Sequence, residues 1–266
     1  MAKKGRKGKK APLVGPGMRS MKRARAVTSG FHAATRELAA AESSGDAAGA
    51  ARARGAIAAL GGRDAYQQAS ILTTARHRTA KWAFAQLTAL GMRPGRGEPP
   101  LRTLEVGAVN TQLLSVPWLD VRAVDLRSQH PRIEQADFFH LAPGGEFRVV
   151  VSSMVLNCVP GAAQRGRMLQ LTRAHLQPNG VLFLMLPLRC LTRSPTCTWG
   201  RLESVLGAVG LEVLATKESP KVAFVCARAA EPPPRAEVPH ELYAPPQEIA
   251  PGAGTDTFAV QLPDEP

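Results

Sequence analysis

A chain of 266 residues, 44% of them hydrophobic and 21% charged, holds apolar material for one sizeable core and tails, not for two large domains. No run approaches the ~18 uninterrupted apolar residues of a membrane span, and the charged N-terminus is followed by no apolar stretch, so neither a membrane protein nor a secretory signal is expected and the chain reads as soluble and intracellular. Its four cysteines, Cys158, Cys190, Cys197 and Cys226, form no C-x-x-C pair and fall mostly in apolar runs, which points to reduced buried thiols rather than disulfides or a zinc site.

The formal charge of +13 is unevenly spread. Residues 1–25 hold ten basic side chains and no acidic one, so the rest of the chain carries only +3. Residues 1–30 are therefore expected to be a basic disordered tail that neutralises RNA phosphates, addresses the chain to the nucleus or nucleolus, or only solubilises it. Residues 31–98 read as a helical region packing on the main domain. Within it, residues 32–60 are rich in alanine with a break near Ser43–Asp46, the pattern of two short helices.

From Leu101 the pattern changes to short apolar runs alternating with amphipathic segments, the signature of a parallel α/β sheet over residues 99–228. The predicted strands are Arg102–Val106, Val121–Asp125, Ile133–Gln135, Phe147–Ser152 and Val181–Leu186. A helix over Gln164–Leu176, stopped by Pro178-Asn179-Gly180, makes a βαβ crossover between the last two. A second helix near Trp199–Val209 leads to Leu211–Ala215 and Val222–Ala227, joined by Lys217-Glu218-Ser219-Pro220 as a closing antiparallel hairpin. These elements predict the Rossmann-like seven-stranded sheet of class I S-adenosylmethionine-dependent methyltransferases. Residues 229–266, with nine of the 22 prolines, read as a disordered tail.

In such sheets ligands lie beyond the carboxyl ends of the strands, so the chemistry is sought there. Glu105 and Gly107 stand at the end of the first strand, Asp125 ends the second, Asp137 and Phe138 follow the third, and Ser152 and Ser153 follow the fourth. Asp125, 18 positions beyond Gly107, suits the hydroxyls of an adenosine ribose, an arrangement common to nicotinamide and S-adenosylmethionine sites. "GAVNTQ" lacks the later glycines that a pyrophosphate requires. S-adenosylmethionine has no phosphate, so a single glycine suffices and this cofactor is expected. Taken singly, Asp125 is also an ordinary strand-end carboxylate, and Asp137 the start of a turn.

"GGRDAYQQAS", "FRVVVSSMVLNCVP", "RGRML", "LFLMLPLRC" and "KVAFVCAR", spread over about Ile57 to Arg228, resemble the fungal 25S ribosomal RNA adenine-N1 methyltransferase family. The S-x-V-L-N-x-V-P stretch followed by R-G-x-M-L is the most specific part. The resemblance implies a nucleolar enzyme acting on large-subunit ribosomal RNA, with cofactor positions on Gly107 and Asp125. Two segments depart from the family. "ILTTARHRTAKW" replaces its glycine- and serine-rich run, keeping Lys81, and "LTRSPTC" stands where asparagine-serine-arginine-tyrosine is usual. Animal relatives are S-adenosylmethionine sensors, so a cofactor-binding regulator without turnover is the alternative, with a methyltransferase for another RNA base or a protein as a third reading.

Adenine N1 offers a lone pair in its neutral form, so the transfer needs alignment rather than a general base, a triad or a metal. The target must be unpaired or flipped, then held by stacking and hydrogen bonds. Candidates for base positioning are Ser153 and Asn157, with Ser152 near the cofactor; Asn157 reads equally as a cap on the helix after Val159-Pro160-Gly161. Phe138 packs on the cofactor adenine or in the core. Arg189 and Arg193 meet phosphate or are solvated, Cys190 is a buried residue before it is a nucleophile, and His77 reads as surface. The partners expected are ribosomal RNA in the pre-ribosomal large subunit, with no membrane and no metal, and the chain is expected to be a monomer.

Overall fold

The computed structural model of the chain describes residues 18–74, 79–128, 130–230, 238–249 and 256–263. Four helices come first: α1 (Met21–Ser44), α2 (Ala47–Ala59), α3 (Gly62–Thr74) and α4 (Thr79–Ala89). Ser20 caps α1 by accepting from the Arg23 N–H, and Gly45, left-handed at φ 72°, ends it. The tail expected over residues 1–30 is thereby corrected at its inner end. Residues 21–30 are helical because Ala24 and Val27 are buried against Ala69, contacts from α3 that a charge count along the chain does not register. Residues 1–17 lie outside the described residues. The predicted break falls between α1 and α2, where Asp46 Oδ1 accepts from the Gly49 N–H at 2.8 Å.

The strands are β1 (Leu101–Val106), β2 (Leu119–Asp125), β3 (Glu134–Gln135), β4 (Phe147–Ser153), β5 (Leu176–Pro187), β6 (Leu211–Glu218) and β7 (Val222–Ala229). They form one sheet in the order β3-β2-β1-β4-β5-β7-β6, and β7 runs antiparallel to both its neighbours. All seven predicted strands are there. β5 begins five residues before the expected Val181, at the irregular stretch where Asn179 takes φ 58° and the β4–β5 register shifts.

Helix α5 (Ala162–His175) makes the β4–β5 crossover; α6 (Arg189–Thr192) and α7 (Trp199–Ala208) lie between β5 and β6. The links from β1 to β2 and from β3 to β4 hold only three-residue 3₁₀ turns, at Leu113–Ser115 and Phe138–His140. The central strands are buried on both faces, which accounts for their continuous apolar runs. Val149, Val151, Val181, Phe183, Met185 and Phe224 pack with α4, where Trp82 meets Phe183 edge-on at 5.8 Å. Val150, Leu182, Leu184, Leu186 and Val225 pack with α5 and α7 on the other face.

The C-terminal stretch differs from the disorder expected over residues 229–266. Ala229 closes β7, His240–Leu242 form a 3₁₀ turn, Leu242, Phe258, Val260 and Leu262 are buried in the main core, and Ala259 is buried beside them. Few but well-placed apolar residues suffice because α5 leaves them a seat. The Gln261 N–H donates to Ala162 O at 3.1 Å, and a Cβ on Gly166 would collide with the Gln261 carbonyl. Arg165, 4% exposed, donates from Nη1 to Ala259 O (2.7 Å), from Nε to Val159 O (2.8 Å) and from Nη2 to Pro160 O (3.2 Å). Residues 231–237, 250–255 and 264–266 lie outside the described residues. Among the described residues no helix is long and apolar enough to cross a membrane.

Removing the Arg165 guanidinium leaves buried carbonyls unpaired, so Arg165→Met is expected to lower the unfolding free energy by about 2–4 kcal/mol. Urea denaturation measures it, and faster amide exchange over residues 258–262 than over β4 would localise the loss to the strap.

Candidate active site

A cavity of about 1200 Å³ lies where β1, β2 and β4 end, under a roof formed by α1 and α3. β1 brings Glu105 and Gly107 to its wall. Gly107 sits at φ 70° with its N–H donating to Val124 O (2.9 Å), and a Cβ there would run into the Val155 side chain. Both the left-handed backbone and the close approach of Val155 demand glycine. The loop beyond is held by Asn110, whose Oδ1 accepts from the Gln112 N–H at 2.8 Å, and no α-helix follows it, so no helix N-terminus is presented to a phosphate.

Glu105 Oε2 is buried without a hydrogen-bond partner, and burial pushes its carboxyl up to about 8. Such a group is poised to accept a cation. Asp125 ends β2 at the neighbouring strand tip; its Oδ1 accepts from the Arg127 N–H (2.8 Å) and from Gln67 Nε2 (3.3 Å), and burial raises its carboxyl. Asp137 also borders the cavity, its Oδ1 accepting from the Phe139 N–H (3.0 Å) and its Oδ2 standing 3.3 Å from His140. Phe138 is 5% exposed in the main core, 5.3 Å from the His175 ring, and it also borders the cavity.

Beyond β4 the expectations separate. Ser153 borders the cavity, as does Val151 two residues earlier, but Ser152 does not; it is 3% exposed and sits in register between Val106 and Leu184. Its register partner Val106 borders the cavity, so Ser152 stands behind the wall that Val106 and Ser153 form. Met154 then takes a left-handed φ of 61°, unusual for a side chain of its size, and turns the loop back on itself. Asn157 borders the cavity and is not the helix cap, which is Gly161.

Of the basic candidates, Arg189 borders the cavity in an ion pair with Asp256 (3.1 Å), whereas Arg193 is exposed away from it. Lys81 is exposed and does not border it either. Cys190 is 4% exposed and burial pushes its thiol up to about 12, the state of a core residue rather than a nucleophile. His77 lies outside the described residues. Among the described residues no three His, Cys, Asp or Glu side chains are grouped as a metal would need.

The roof was not legible locally. Gln67 reaches Asp125 and also donates to Arg127 O, Tyr66 Oη lies 3.0 Å from Cys158 Sγ, and His32 stands 3.5 Å from the Tyr66 hydroxyl. Tyr66 and Gln67 belong to the "YQQAS" stretch that carries the resemblance, the one signal that marked them. Nothing in the alanine-rich surroundings of His32 distinguishes it.

The strand order, the antiparallel seventh strand, and an acid–glycine–acid set at neighbouring strand ends define a class I methyltransferase fold with its site in the usual place. The chain belongs to the family described as 25S rRNA (adenine(2142)-N(1))-methyltransferase, Bmt2, whose model matches residues 51–260. It is 29% identical over 175 residues to the 25S rRNA adenine-N(1) methyltransferase of Schizosaccharomyces pombe, covering 61% of this chain and 65% of that one. With the 25S rRNA (adenine(2142)-N(1))-methyltransferase of Saccharomyces cerevisiae it shares 26% over 170 residues, 62% of this chain and 49% of that one. The chain thus spans about half of one of these curated relatives and just under two thirds of the other. Among solved structures, the 1,6-didemethyltoxoflavin-N1-methyltransferase of Burkholderia thailandensis with bound S-adenosylhomocysteine is similar at TM-score 0.47 and 17% identity, covering 60% of this chain and 81% of that one.

Because Gly107 is left-handed and hemmed in by Val155, Gly107→Ala is expected to destabilise the chain by about 1–2 kcal/mol. It should also weaken S-adenosylhomocysteine binding by about tenfold or more in calorimetric titration; unchanged affinity would remove Gly107 from the ligand wall.

Proposed function

We propose that this chain is an S-adenosylmethionine-dependent methyltransferase that methylates N1 of an adenine in large-subunit ribosomal RNA, working in the nucleolus as a monomer on the pre-ribosomal particle. The observation that carries the reading is the unpartnered buried carboxyl of Glu105 beside Gly107 and Asp125, in a cavity larger than one cofactor needs. Its volume of about 1200 Å³ lies above the ~300–1,000 Å³ of ordinary small-molecule pockets, which leaves room for an extruded base.

The residues fit the cofactor. Glu105 would face its cationic methionine end, Gly107 would admit close backbone approach, Asp125 would accept from the ribose hydroxyls, and Phe138 would pack beside the adenine. When bound, it supplies a sulfonium methyl to the N1 lone pair: an N–C bond forms, the C–S bond breaks with its electron pair left on sulfur, and no proton has to be removed. The chain's own part is orientation and the exclusion of water, and no side chain has to act as a base.

RNA as the substrate class is supported by the cavity's border. Arg25, Arg63, Arg127, Arg167, Arg189 and Lys221 stand there against three carboxyl groups, Glu105, Asp125 and Asp137. With the ten basic residues of the first 25, this surface favours a polyanion over a neutral partner.

Glu105 gives a pH signature. With its carboxyl at about 8 in the free protein, the group is largely protonated at neutral pH, and a cationic ligand must expel that proton. Affinity for S-adenosylmethionine should rise with pH by at most about tenfold per unit and level off above about 8; Glu105→Gln should flatten the profile.

The function itself is tested by incubating the chain with radiolabelled S-adenosylmethionine and pre-ribosomal RNA from cells lacking the enzyme, then digesting and separating nucleosides. A labelled 1-methyladenosine peak, absent with Gly107→Arg, is the expected result. Cofactor binding with no label in any nucleoside would instead identify a regulator.

A further inference from the structure

The turn after β4 builds a directional hydrogen-bond network whose last member has an unused end. Cys158 Sγ lies 3.0 Å from Met154 O, to which its S–H donates. Burial pushes this thiol up to about 11, so the proton stays in place at neutral pH. With its hydrogen committed, the sulfur can only accept, and it meets the Tyr66 hydroxyl at 3.0 Å and Asn157 Nδ2 at 3.5 Å, with His32 Nε2 farther off at 3.9 Å. An Asn157 amide turned the other way would set its oxygen against the sulfur lone pairs. Its Oδ1 is buried without a partner in a residue that borders the cavity. A buried acceptor left unpaired is costly, and a donor on a ligand would remove that cost.

We propose that Asn157 Oδ1 reads the exocyclic amino group of the base to be methylated, and that Cys158 and Tyr66 are positioning residues that hold the amide in the orientation this requires. The inference rests on the methyltransferase reading and deepens it by naming what is recognised. Adenine places an amino group next to a ring nitrogen with a free lone pair. Uracil, and guanine at its O6–N1 edge, place a carbonyl next to an N–H and so would present an acceptor to an acceptor and no lone pair for the methyl; cytosine shares the adenine pattern, so the contact separates amino from oxo edges. As N1 takes the methyl, positive charge spreads onto the amino group, which becomes a better donor, so the contact tightens along the reaction. The other wall is consistent with a neutral base: His32, 3.5 Å from the Tyr66 hydroxyl, is lowered to about 4, first by burial and then by Arg36, Arg189 and Arg165, and carries no charge at neutral pH.

The test uses the full chain saturated with S-adenosylhomocysteine, so that the cofactor site is filled, and titrated with adenosine, purine riboside and inosine 5′-monophosphates. Adenosine monophosphate should bind about tenfold or more tightly than the purine riboside compound, which lacks only the amino group, with the inosine compound weaker still. The preference should vanish in Asn157→Ala, shrink in Cys158→Ala and return in Cys158→Ser, whose hydroxyl both donates and accepts. Retained S-adenosylhomocysteine binding shows that each variant is folded. Equal affinities in the wild type, or a preference that survives Asn157→Ala, would overturn the proposal and leave the methyltransferase reading intact. A wild-type chain that fails to bind S-adenosylhomocysteine would remove that reading and the proposal with it.

Discussion

The site depends on α3 lying across the carboxyl edge of the sheet, where Gln67 bonds Asp125 and Tyr66 bonds Cys158. The constraint comes from the sheet itself. Between β1 and β4 the connections hold no α-helix, so the strand tips on that side lack the cover that crossover helices normally supply. The N-terminal helices provide it. They pack on one another through Ala24, Val27 and Ala69 and through Phe31 stacked on Tyr66, and the polar contacts to β2 and to the turn after β4 fix them where the ligand must go.

That roof also sets the electrostatics. Glu105 is raised to about 8 and His32 is lowered to about 4, both chiefly by burial, so each is held near its neutral form at neutral pH. A cavity that discourages its own charges still attracts charge from outside, since Glu105 Oε2 and Asn157 Oδ1 both lack partners. Glu105 stands at the end of β1 and Asn157 in the turn after β4, and they suit two different donors, one on a cofactor and one on a base.

At the other end of the chain, Phe258–Val260 and Leu262 close over α5 and secure the same region from below. Arg165 ties the Val159-Pro160 segment to Ala259, and Asp256 pairs with Arg189 at the cavity border. The C-terminal stretch therefore braces the turn after β4 through Arg165. Both coverings come from stretches far from β4 in sequence, one before the sheet and one after it.

The sheet was legible in the sequence because its signals are local: apolar runs such as Phe147–Val151 and Val181–Leu186 can be buried only as central strands, and the lone Gly107 speaks for its own backbone. Only the folded sheet separates Ser152, enclosed between Val106 and Leu184, from Ser153, which meets the cavity. The roof and the strap depended on contacts between residues distant in the chain, Gln67 with Asp125, Tyr66 with Cys158 and Arg165 with Ala259. Composition marked the two ends of the chain as tails because it averages over a segment, whereas burial depends on where a few residues such as Val27, Phe258 and Leu262 come to rest. The sequence by itself determined the strands, the glycine and the acids at their ends; only the tertiary structure decided what covers them, since a hydrogen bond between remote residues leaves no periodicity in either.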